Sequence, residues 1–469
     1  MKRLLSRMVR DGAARCTAVA VDGGFLLSWN APALVTPAAG TYAPAADKAE
    51  SLRLGRSVIV INRRNLLNCG AASLSAAALM GGRARAAAPV VKIGVLADFS
   101  GLYTDLMGPG GVAAARLAVA DFKPEQKGFS AEIVYADHAN KADVGASIVR
   151  RWFDTEGVDM MIAGPNSAVG LATSFVAREK DKVCLGTAVT TSDFTGRQCT
   201  PNTINWTYDA YMLSKAVATE TVKAGGTKWY FLSTDNAFGA SLQQETAQLI
   251  DQAGGAVVGS SKCPLGTTDF SSFLLTAQSS GANVLGLAIG GDDLVRCMNQ
   301  VNEFGLAGKM SVAALVLFLN DIHGAGLKSM QNLIFTNSFY WDLNDRTRAF
   351  TKRLVPSMPG GAYPGMTHAG CYAVTMHYLK TVAAMGVQEA RKSGAATVAR
   401  MKAMPTDDDA FGPGSIRADG RAVIPAYLLK VKKPGGSKAP WDYCEVVSTL
   451  RAEDTVKPLA DVGCPLAKG

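Results

Sequence analysis

The sequence contains few of the residues and motifs on which catalytic and metal centres depend. Only four histidines occur in 469 residues, and no CxxC pair or Cys/His cluster has metal-site spacing. No GxGxxG directly follows the first apolar run, and neither a GxSxG elbow nor an HExxH is present. These absences disfavour dehydrogenases, serine hydrolases and metallopeptidases. We therefore expect no enzyme, no cofactor and no metal ion.

A surface charged with one sign is also missing, although the net charge is +9. Residues 1–88 contain 12 lysines and arginines but only 4 acidic residues, which leaves 36 basic and 35 acidic residues in the rest of the chain. The basic excess therefore belongs to the N-terminal segment. Because binding to nucleic acid requires a basic domain, we expect no nucleic-acid partner.

No apolar run is long enough to span a membrane, which takes about 18 residues or more. The apolar run at 69–80 follows Arg63 and Arg64 and precedes small-residue cleavage sites at 84–88. This order predicts a signal peptide at about 58–88, twin-arginine-like or ordinary secretory, and export to the periplasm. Residues 1–57 would be an upstream extension, from a start assigned too far upstream or a long disordered n-region.

Seven cysteines follow the predicted signal peptide, and spaced cysteines in an exported protein favour disulfides. The candidate pairs are Cys184–Cys199, Cys263–Cys297 and Cys444–Cys464. The first pair closes a short loop and is preferred. Cys371 lies in an apolar helical stretch and is expected to be a buried free thiol. Sequence alone does not fix the connectivity, and several buried free thiols remain the alternative.

Short apolar runs that end in turn residues alternate with helix-like stretches along the chain. The runs lie at 90–96, 131–135, 160–163, 183–186, 229–232, 256–258 and 284–287. This alternation predicts βαβ units, with a parallel sheet in each half of the exported chain. The segment 412–432 predicts turns and β-strands, and 373–385 predicts an amphipathic helix.

From 92 to about 431 the sequence resembles the leucine/isoleucine/valine-type periplasmic binding proteins of ABC importers. The resemblance depends on the order and spacing of KIGVL…SG at 92–101, TDNAFG at 234–239, TDFSSF at 268–273 and FGP…RADG at 411–420. It implies an α/β, type I periplasmic fold with two doubly wound parallel-sheet lobes joined by a three-crossing hinge.

The same resemblance implies how the chain is divided and what it contacts. Lobe one would take 90–208 and 342–412, and lobe two 209–341 and 413–469. A small-molecule carboxylate would bind between the lobes, a membrane-bound ABC permease would be the partner, and the protein would be a monomer.

Ligand would lie at the carboxyl ends of the strands, as in other open α/β sheets. The candidate ligand-binding residues are Tyr103, Asn166, Ser167, Val189, Thr190, Thr191, Phe238, Asp292, Leu317 and Tyr340. Asn166 and Ser167 begin a helix, where they would bind a carboxylate or simply cap the helix. Weaker candidates for the wall are Trp341, Met366 and His368.

The resemblance also suggests roles for these candidates. It implies that Val189, Thr190 and Thr191 supply backbone groups and a hydroxyl to a carboxylate. It further implies that Tyr103 and Phe238 cover the ligand from the two lobes. Asp292 would reach an ammonium or a ring hydroxyl, or would cap a helix.

One departure from the family pattern bears on the ligand. Amino-acid binders of this family bring an acidic residue of lobe two to the ligand's ammonium group, whereas 313–319 is apolar throughout and Asp321 comes only later. An ammonium buried without a counter-charge costs several kcal/mol. We therefore expect an aromatic carboxylate such as a benzoate or phenylpropenoid acid. A branched-chain amino acid, or a role as a periplasmic sensor, is the alternative.

Overall fold

The computed structural model describes residues 15–21, 24–30 and 88–467. The chain divides into two compact units, 1–84 and 85–469. In the first unit, β1 (Arg15–Val21) and β2 (Gly24–Asn30) form an antiparallel hairpin. The predicted signal peptide lies outside the described residues, apart from its last residue. Among the described residues no helix is long and apolar enough to cross a membrane.

The first lobe of the second unit is a five-stranded parallel sheet with the order β4-β3-β5-β6-β7. Its strands are β3 (Val90–Ala97), β4 (Ser130–Asp137), β5 (Met160–Ala163), β6 (Val183–Gly186) and β7 (Thr203–Asn205). Its first helices are α1 (Gly108–Phe122), α2 (Ala142–Arg151) and α3 (Ser167–Glu179). Strands β5 and β6 are buried along their whole length, because helices cover both faces of the sheet.

The second lobe contains a four-stranded parallel sheet with the order β11-β10-β8-β9. The strands are β8 (Lys228–Thr234), β9 (Ala256–Cys263), β10 (Val284–Ala288) and β11 (Ser311–Ala314). The helices are α4 (Ala210–Lys223), α5 (Ala237–Gln252), α6 (Ser271–Ser279), α7 (Asp292–Glu303), α8 (Leu319–Ala325) and α9 (Leu327–Met330). The predicted α/β class, with a parallel sheet in each of two lobes, is confirmed.

The rest of the chain adds four helices of six residues or more and two small antiparallel sheets. After β12 (Ile334–Asn337) come α10 (Asp345–Leu354), α11 (Met366–Met385), α12 (Val387–Lys392) and α13 (Gly394–Lys402). Helices α10 and α11 pack against α1. Strands β13 (Thr406–Asp408), β14 (Gly412–Ile416) and β15 (Ala422–Val423) form an antiparallel sheet, as expected for 412–432. A second antiparallel sheet joins β12, β16 (Ala426–Val431) and β17 (Cys444–Leu450), and α14 (Leu459–Val462) follows.

The helix predicted as amphipathic at 373–385 differs from its prediction in length and exposure. It is α11, it begins at Met366, and 16 of its 20 residues are buried. Helix α11 is enclosed by α1, α12 and α13, so only its C-terminal end has a solvent face. Helices covered on several sides lose the apolar periodicity by which an amphipathic helix is recognised.

The predicted disulfide pairs are wrong. Cys199 bonds to Cys464, 265 residues away, whereas Cys184, Cys263, Cys297 and Cys444 are buried free thiols. Cys184 lies in β6 and faces an apolar cluster, and burial raises its pKa to about 12, so its thiol stays protonated. Cys199 lies in the loop between β6 and β7, where the C-terminal tail brings Cys464 to it. The prediction of a buried free thiol at Cys371 is confirmed.

Candidate ligand-binding site

A cavity lies between the two lobes, where the strands of both parallel sheets end. It contains about 390 Å³ of space, including its mouth. Its lining residues are Tyr103, Leu106, Pro165, Asn166, Ser167, Ala188, Thr190, Tyr208, Asn236, Phe238, Gly290, Val316 and Phe318. Nearly all of them follow the carboxyl end of a parallel strand, which is where open α/β sheets bind ligands.

The electrostatics of the cavity come from the backbone, because none of the thirteen lining residues is charged. Helix α3 begins at Ser167 in the first lobe, and α5 begins after Asn236 in the second. Both N-termini carry partial positive charge at the cavity wall. Helix α7 also begins nearby, but Asp292 and Asp293 in its first turn offset its dipole. The wall therefore favours an anion without supplying a cationic side chain.

The hydrogen bonds at the start of α3 leave two donors for a ligand. The Asn166 Oδ1 accepts from the backbone N–H groups of Ala168 and Val169, at 3.1 and 3.2 Å, and so caps the helix. The Ser167 Oγ accepts from the backbone N–H of Thr191 at 3.2 Å. Within the described residues, the Ser167 hydroxyl proton and backbone N–H have no acceptor. These two donors are therefore available to a carboxylate.

Asn205, the last residue of β7, fixes the segment that follows β6. The Asn205 amide donates to the carbonyl oxygens of Val189 and Tyr208, both at 3.0 Å. Burial raises the pKa of Tyr208, so the phenol is neutral. The ring of Tyr208 lies 5.9 Å from that of Phe318, which closes the apolar side of the cavity.

Tyr103 brings the first lobe into contact with the second. The Asp98 carboxylate accepts from the backbone N–H groups of Gly101 and Tyr103, at 2.7 and 3.0 Å, and so fixes the turn after β3. The Tyr103 ring then rests on Gly291, where an added Cβ would lie 2.9 Å from the ring. Because Gly291 also has a φ of +64°, a side chain at this position would be both strained and in collision.

Five of the predicted site residues line this cavity, namely Tyr103, Asn166, Ser167, Thr190 and Phe238. Thr191 lies one residue outside the wall. Its backbone N–H donates to Ser167, and its hydroxyl accepts from the N–H of Asp193. Thr191 therefore supports the wall.

The other four predicted site residues also lie outside the wall. Val189 is buried against Gly170 in the first lobe, and Leu317 is buried in the core of the second. The Tyr340 hydroxyl accepts from the backbone N–H of Cys444 at 3.3 Å. The Asp292 side chain is 60 % exposed and lies 3.8 Å from Arg296.

Three lining residues that the sequence does not predict are neighbours of predicted ones. Ala188 lines the cavity beside Val189, as the predicted Thr190 does on its other side, and Val316 and Phe318 line it on either side of Leu317. Successive side chains of an extended segment point in opposite directions, so these pairs could have been identified once one member was placed. Tyr208 and Asn236 carried no comparable signal.

Asp321 is a buried acidic group close to the cavity. Its Oδ2 accepts from the backbone N–H of Phe318 at 2.9 Å, at the start of α8. Burial, with a smaller contribution from the nearby charges of Asp292 and Asp105, raises the pKa of Asp321 to about 7. The charge of Asp321 in turn helps to raise the pKa values of Tyr103 and Tyr208, which both line the cavity.

Comparison with known proteins assigns this arrangement to a family. Residues 90–437 match the family described as periplasmic binding protein, so the chain belongs to that family. A periplasmic binding protein from Burkholderia mallei is 41 % identical, with a TM-score of 0.77, and the match covers 81 % of this chain and 99 % of that one. No match was found among curated proteins.

Two further solved structures share this fold. A branched-chain amino acid ABC transporter periplasmic ligand-binding protein from Burkholderia xenovorans is 36 % identical, with a TM-score of 0.72, and 81 % of this chain and 100 % of that one are covered. A solute-binding protein of an ABC transporter from R. palustris, in complex with benzoate, is 18 % identical, with a TM-score of 0.70, covering 80 % and 100 %. All three of these proteins are described as binding proteins.

Proposed function

We propose that this chain is the extracytoplasmic solute-binding protein of an ABC importer, and that it holds a small aromatic carboxylate between its lobes. The observation that carries the proposal is the chemistry of the cavity wall. Two helix N-termini and the free donors of Ser167 favour a carboxylate, and no charged side chain lines the wall. The remaining wall is largely aromatic and aliphatic.

The apolar part of the wall fits a ring. Tyr103, Tyr208, Phe238 and Phe318 contribute aromatic surfaces, and Val316 and Ala188 fill the gaps between them. Ring surfaces of this kind bind another ring by offset or edge contacts. The relatives named above include a benzoate complex and a branched-chain amino-acid binder, so the fold alone does not choose between these ligands. The wall chemistry favours the aromatic acid.

Asp321 supports a second candidate, an amino acid as the ligand. Its carboxyl group is buried near Tyr103 and Tyr208, and an ammonium group in the cavity would lower its pKa from about 7 and be held by the resulting charge. The hydrogen bond from Phe318 already occupies one of its oxygens, and Asp321 does not line the cavity. We therefore rank the amino acid second.

Closure of the lobes over the solute would complete the site. In the structure Ser192 of the first lobe donates its backbone N–H to the Ser241 Oγ of α5 at 3.0 Å, and Tyr103 rests on Gly291. Such contacts would form as the second lobe moves over a solute held by the first and water is excluded. The closed form would be presented to a permease in the membrane of a periplasm-containing cell, with this protein as a monomer.

The lobe bounds remain part of this proposal. Residues 90–208 with 342–412 would form lobe one, and 209–341 with 413–469 lobe two. The packing of α10 and α11 against α1 supports the return of the chain to lobe one. The pairing of β16 with β12 supports its final return to lobe two.

Thermal shift and calorimetry with benzoate, 4-hydroxybenzoate, leucine and valine test the ligand class. A ligand at about 100 times its dissociation constant stabilises the folded state by about 2.7 kcal/mol. We expect this from an aromatic acid, and Ser167→Ala should weaken its binding about 10- to 100-fold, because charge-assisted hydrogen bonds contribute about 1.5–3 kcal/mol. Ser272→Ala, on the exposed side of α6, is the matched control.

Asp321→Asn separates the two candidates. The variant keeps an oxygen for the Phe318 N–H, and it should leave aromatic-acid binding unchanged or improved because it removes a nearby negative charge. An amino-acid ligand should instead lose most of its affinity. Stabilisation by leucine or valine alone, abolished by Asp321→Asn, would replace the aromatic acid with the amino acid.

A further inference from the structure

A second cavity lies between the lobes, behind the turn that carries Tyr103. The short 3₁₀ turn Thr104–Leu106 separates the two cavities, since Tyr103 and Leu106 line the first, whereas Thr104 and Asp105 line the second. The second cavity contains about 820 Å³ of space, including its mouth. It is therefore roomy enough for a small organic molecule.

One wall of the second cavity is a stack of rings from the second lobe. The His323 ring lies 4.2 Å from that of Trp441, nearly parallel at 13°. The His323 Nδ1 also forms a hydrogen bond of 2.8 Å with the Tyr443 hydroxyl. Trp441 has a φ of +64°, a conformation that bulky residues rarely adopt and that persists only when its surroundings enforce it. The stack therefore presents a fixed aromatic surface.

His368 also lines the second cavity, and its ring N–H lacks an acceptor in the described chain. His368 is 1 % exposed, and its Nδ1 accepts from the backbone N–H of Gly365 at 3.1 Å, so the proton of the neutral ring lies on Nε2. Burial lowers the pKa of His368 to about 4, which keeps the ring neutral at pH 7. Within residues 88–467 this Nε2–H has no acceptor. Its edge lies beside Gly110, which also lines the cavity.

Asp105 lines this cavity beside the N-terminus of α1, and its carboxylate offsets the helix dipole that would otherwise attract an anion. Asp105 lies exposed at the rim, where its carboxylate would repel a second carboxylate. Asn320 offers a donor and an acceptor, whereas Thr104 offers only an acceptor, because its hydroxyl donates to the Gly101 carbonyl at 2.8 Å. An aromatic wall, a buried N–H donor and an acidic rim together suit a neutral ring that carries a hydrogen-bond acceptor.

We propose that this second cavity binds a neutral, planar aromatic molecule with a hydrogen-bond acceptor, separately from the carboxylate in the first cavity. The ring lies against the stack of His323 and Trp441, and the acceptor receives the Nε2–H of His368. A donor on the same molecule, where present, faces Asp105. Aryl amides and phenolic aldehydes have this chemistry. The proposal does not depend on the ligand of the first cavity.

Benzamide is the probe, because it has the shape of benzoate without the charge. Its binding is followed by tryptophan fluorescence and by ligand-detected NMR, with and without saturating benzoate. Gly324→Leu fills the cavity from α8, because Gly324 lines it and the nearest heavy atom to an added Cβ lies 4.0 Å away. Gly435→Leu is the matched control, at an exposed glycine with open space around it.

The expected result is that benzamide binds equally well with and without benzoate. Gly324→Leu should weaken benzamide at least tenfold and leave benzoate unchanged, whereas Gly435→Leu should alter neither. His323→Leu, which removes one ring of the stack, should weaken benzamide even if Gly324→Leu folds poorly. Absence of benzamide binding, competition with benzoate, or indifference to both variants would overturn the proposal. A protein that binds benzamide but no carboxylate would refute only the function proposed above.

Discussion

At the residue scale, Arg421 is the most heavily bonded charge in the described chain. Its side chain is 1 % exposed and lies 3.0 Å from the Asp209 carboxylate, and it donates to the carbonyls of Trp206 and Ala422 at 2.7 and 2.9 Å. Asp209 in turn caps α4 through the N–H of Met212. Arg421 thus ties the start of the second lobe to the segment that follows β14.

Replacing Arg421 should therefore destabilise the whole protein. Arg421→Met leaves the buried Asp209 without its partner, and breaking a buried pair in this way costs about 3–5 kcal/mol. Urea unfolding measures the loss, with Arg451→Met as the control, because the exposed Arg451 contributes little. Similar unfolding midpoints for the two variants would show that the Arg421 network does not stabilise the fold.

Asp321 predicts a pH dependence of stability at the same scale. Its pKa is about 7 in the folded state and about 3.8 in an unfolded chain, mainly because it is buried. A raised folded pKa contributes stability that is fully present below the unfolded pKa and is lost as pH rises through the folded pKa. The loss is on the order of 2–4 kcal/mol for a shift of this size.

Asp321→Asn should remove this dependence. Its melting temperature should exceed that of the parent protein by a margin that widens between about pH 5 and about pH 8. The exposed Asp251, whose charge does not act on Asp321, provides the control, and the curve of Asp251→Asn should run parallel to the parent. Parallel curves for Asp321→Asn as well would mean that Asp321 is already ionised in the folded protein over this range, so that folding does not raise its pKa.

Residues at the site were only partly predictable, and the reason is geometric. Ser167 is predictable because it follows a recognisable apolar run and begins a helix, whereas the prediction of Thr190 depends on the family resemblance. Leu317 is a predicted site residue, but within the run 313–319 its neighbours face the cavity and Leu317 does not. Tyr340 is a predicted site residue because of its aromatic ring, but its hydroxyl accepts a hydrogen bond from the backbone N–H of Cys444. The sequence shows which segment reaches a site more readily than it shows which side chains of that segment face the site.

At the scale of elements, close packing of α11 depends on a glycine. A Cβ at Gly370 would lie 2.5 Å from the Thr207 Cγ2 and 3.1 Å from the Thr187 Cβ. The absent side chain lets α11 approach the segments that follow β6 and β7, next to the site. Gly324 in α8, by contrast, has open space around it.

The same substitution should therefore have opposite effects in the two helices. Gly→Ala ordinarily stabilises a helix by up to about 1 kcal/mol, and we expect Gly324→Ala to do so. Gly370→Ala should instead destabilise the protein by about 1–3 kcal/mol, because the neighbouring side chains must move. Chemical denaturation of both variants measures the difference. A gain in stability at Gly370 would mean that α11 can shift away from those segments at little cost.

Strands were easier to predict than helices, for a physical reason. Strands β5 and β6 were predicted with their observed bounds, since a buried parallel strand is a short apolar run between turn residues. The sequence predicts α11 as shorter and more exposed than it is, because the helix is covered on several sides. Periodicity reports how many sides of an element are buried, but not which elements cover them.

At the scale of the whole molecule, the C-terminal tail connects the two lobes. Lys215 of α4 donates to the carbonyl of Asp454, and the Lys457 Nζ lies 3.0 Å from both carboxylate oxygens of Glu245 in α5, so the tail is attached to the second lobe. The Cys464–Cys199 disulfide then attaches its end to a loop of the first lobe. No sequence signal marks this link, because its partners are 265 residues apart.

Because the tail is attached to both lobes, removing the disulfide should change both stability and opening. Cys464→Ser should lower the free energy of unfolding by about 2–4 kcal/mol, the usual contribution of a disulfide that closes a long loop. The ligand-free protein should also open wider, with a larger radius of gyration in solution scattering and faster ligand release. Treatment with a thiol reductant should reproduce both effects in the parent protein and add nothing in Cys464→Ser, since the other cysteines of residues 88–467 are free. If stability falls but scattering and release rates do not change, the tail stabilises the fold without limiting how far the lobes separate.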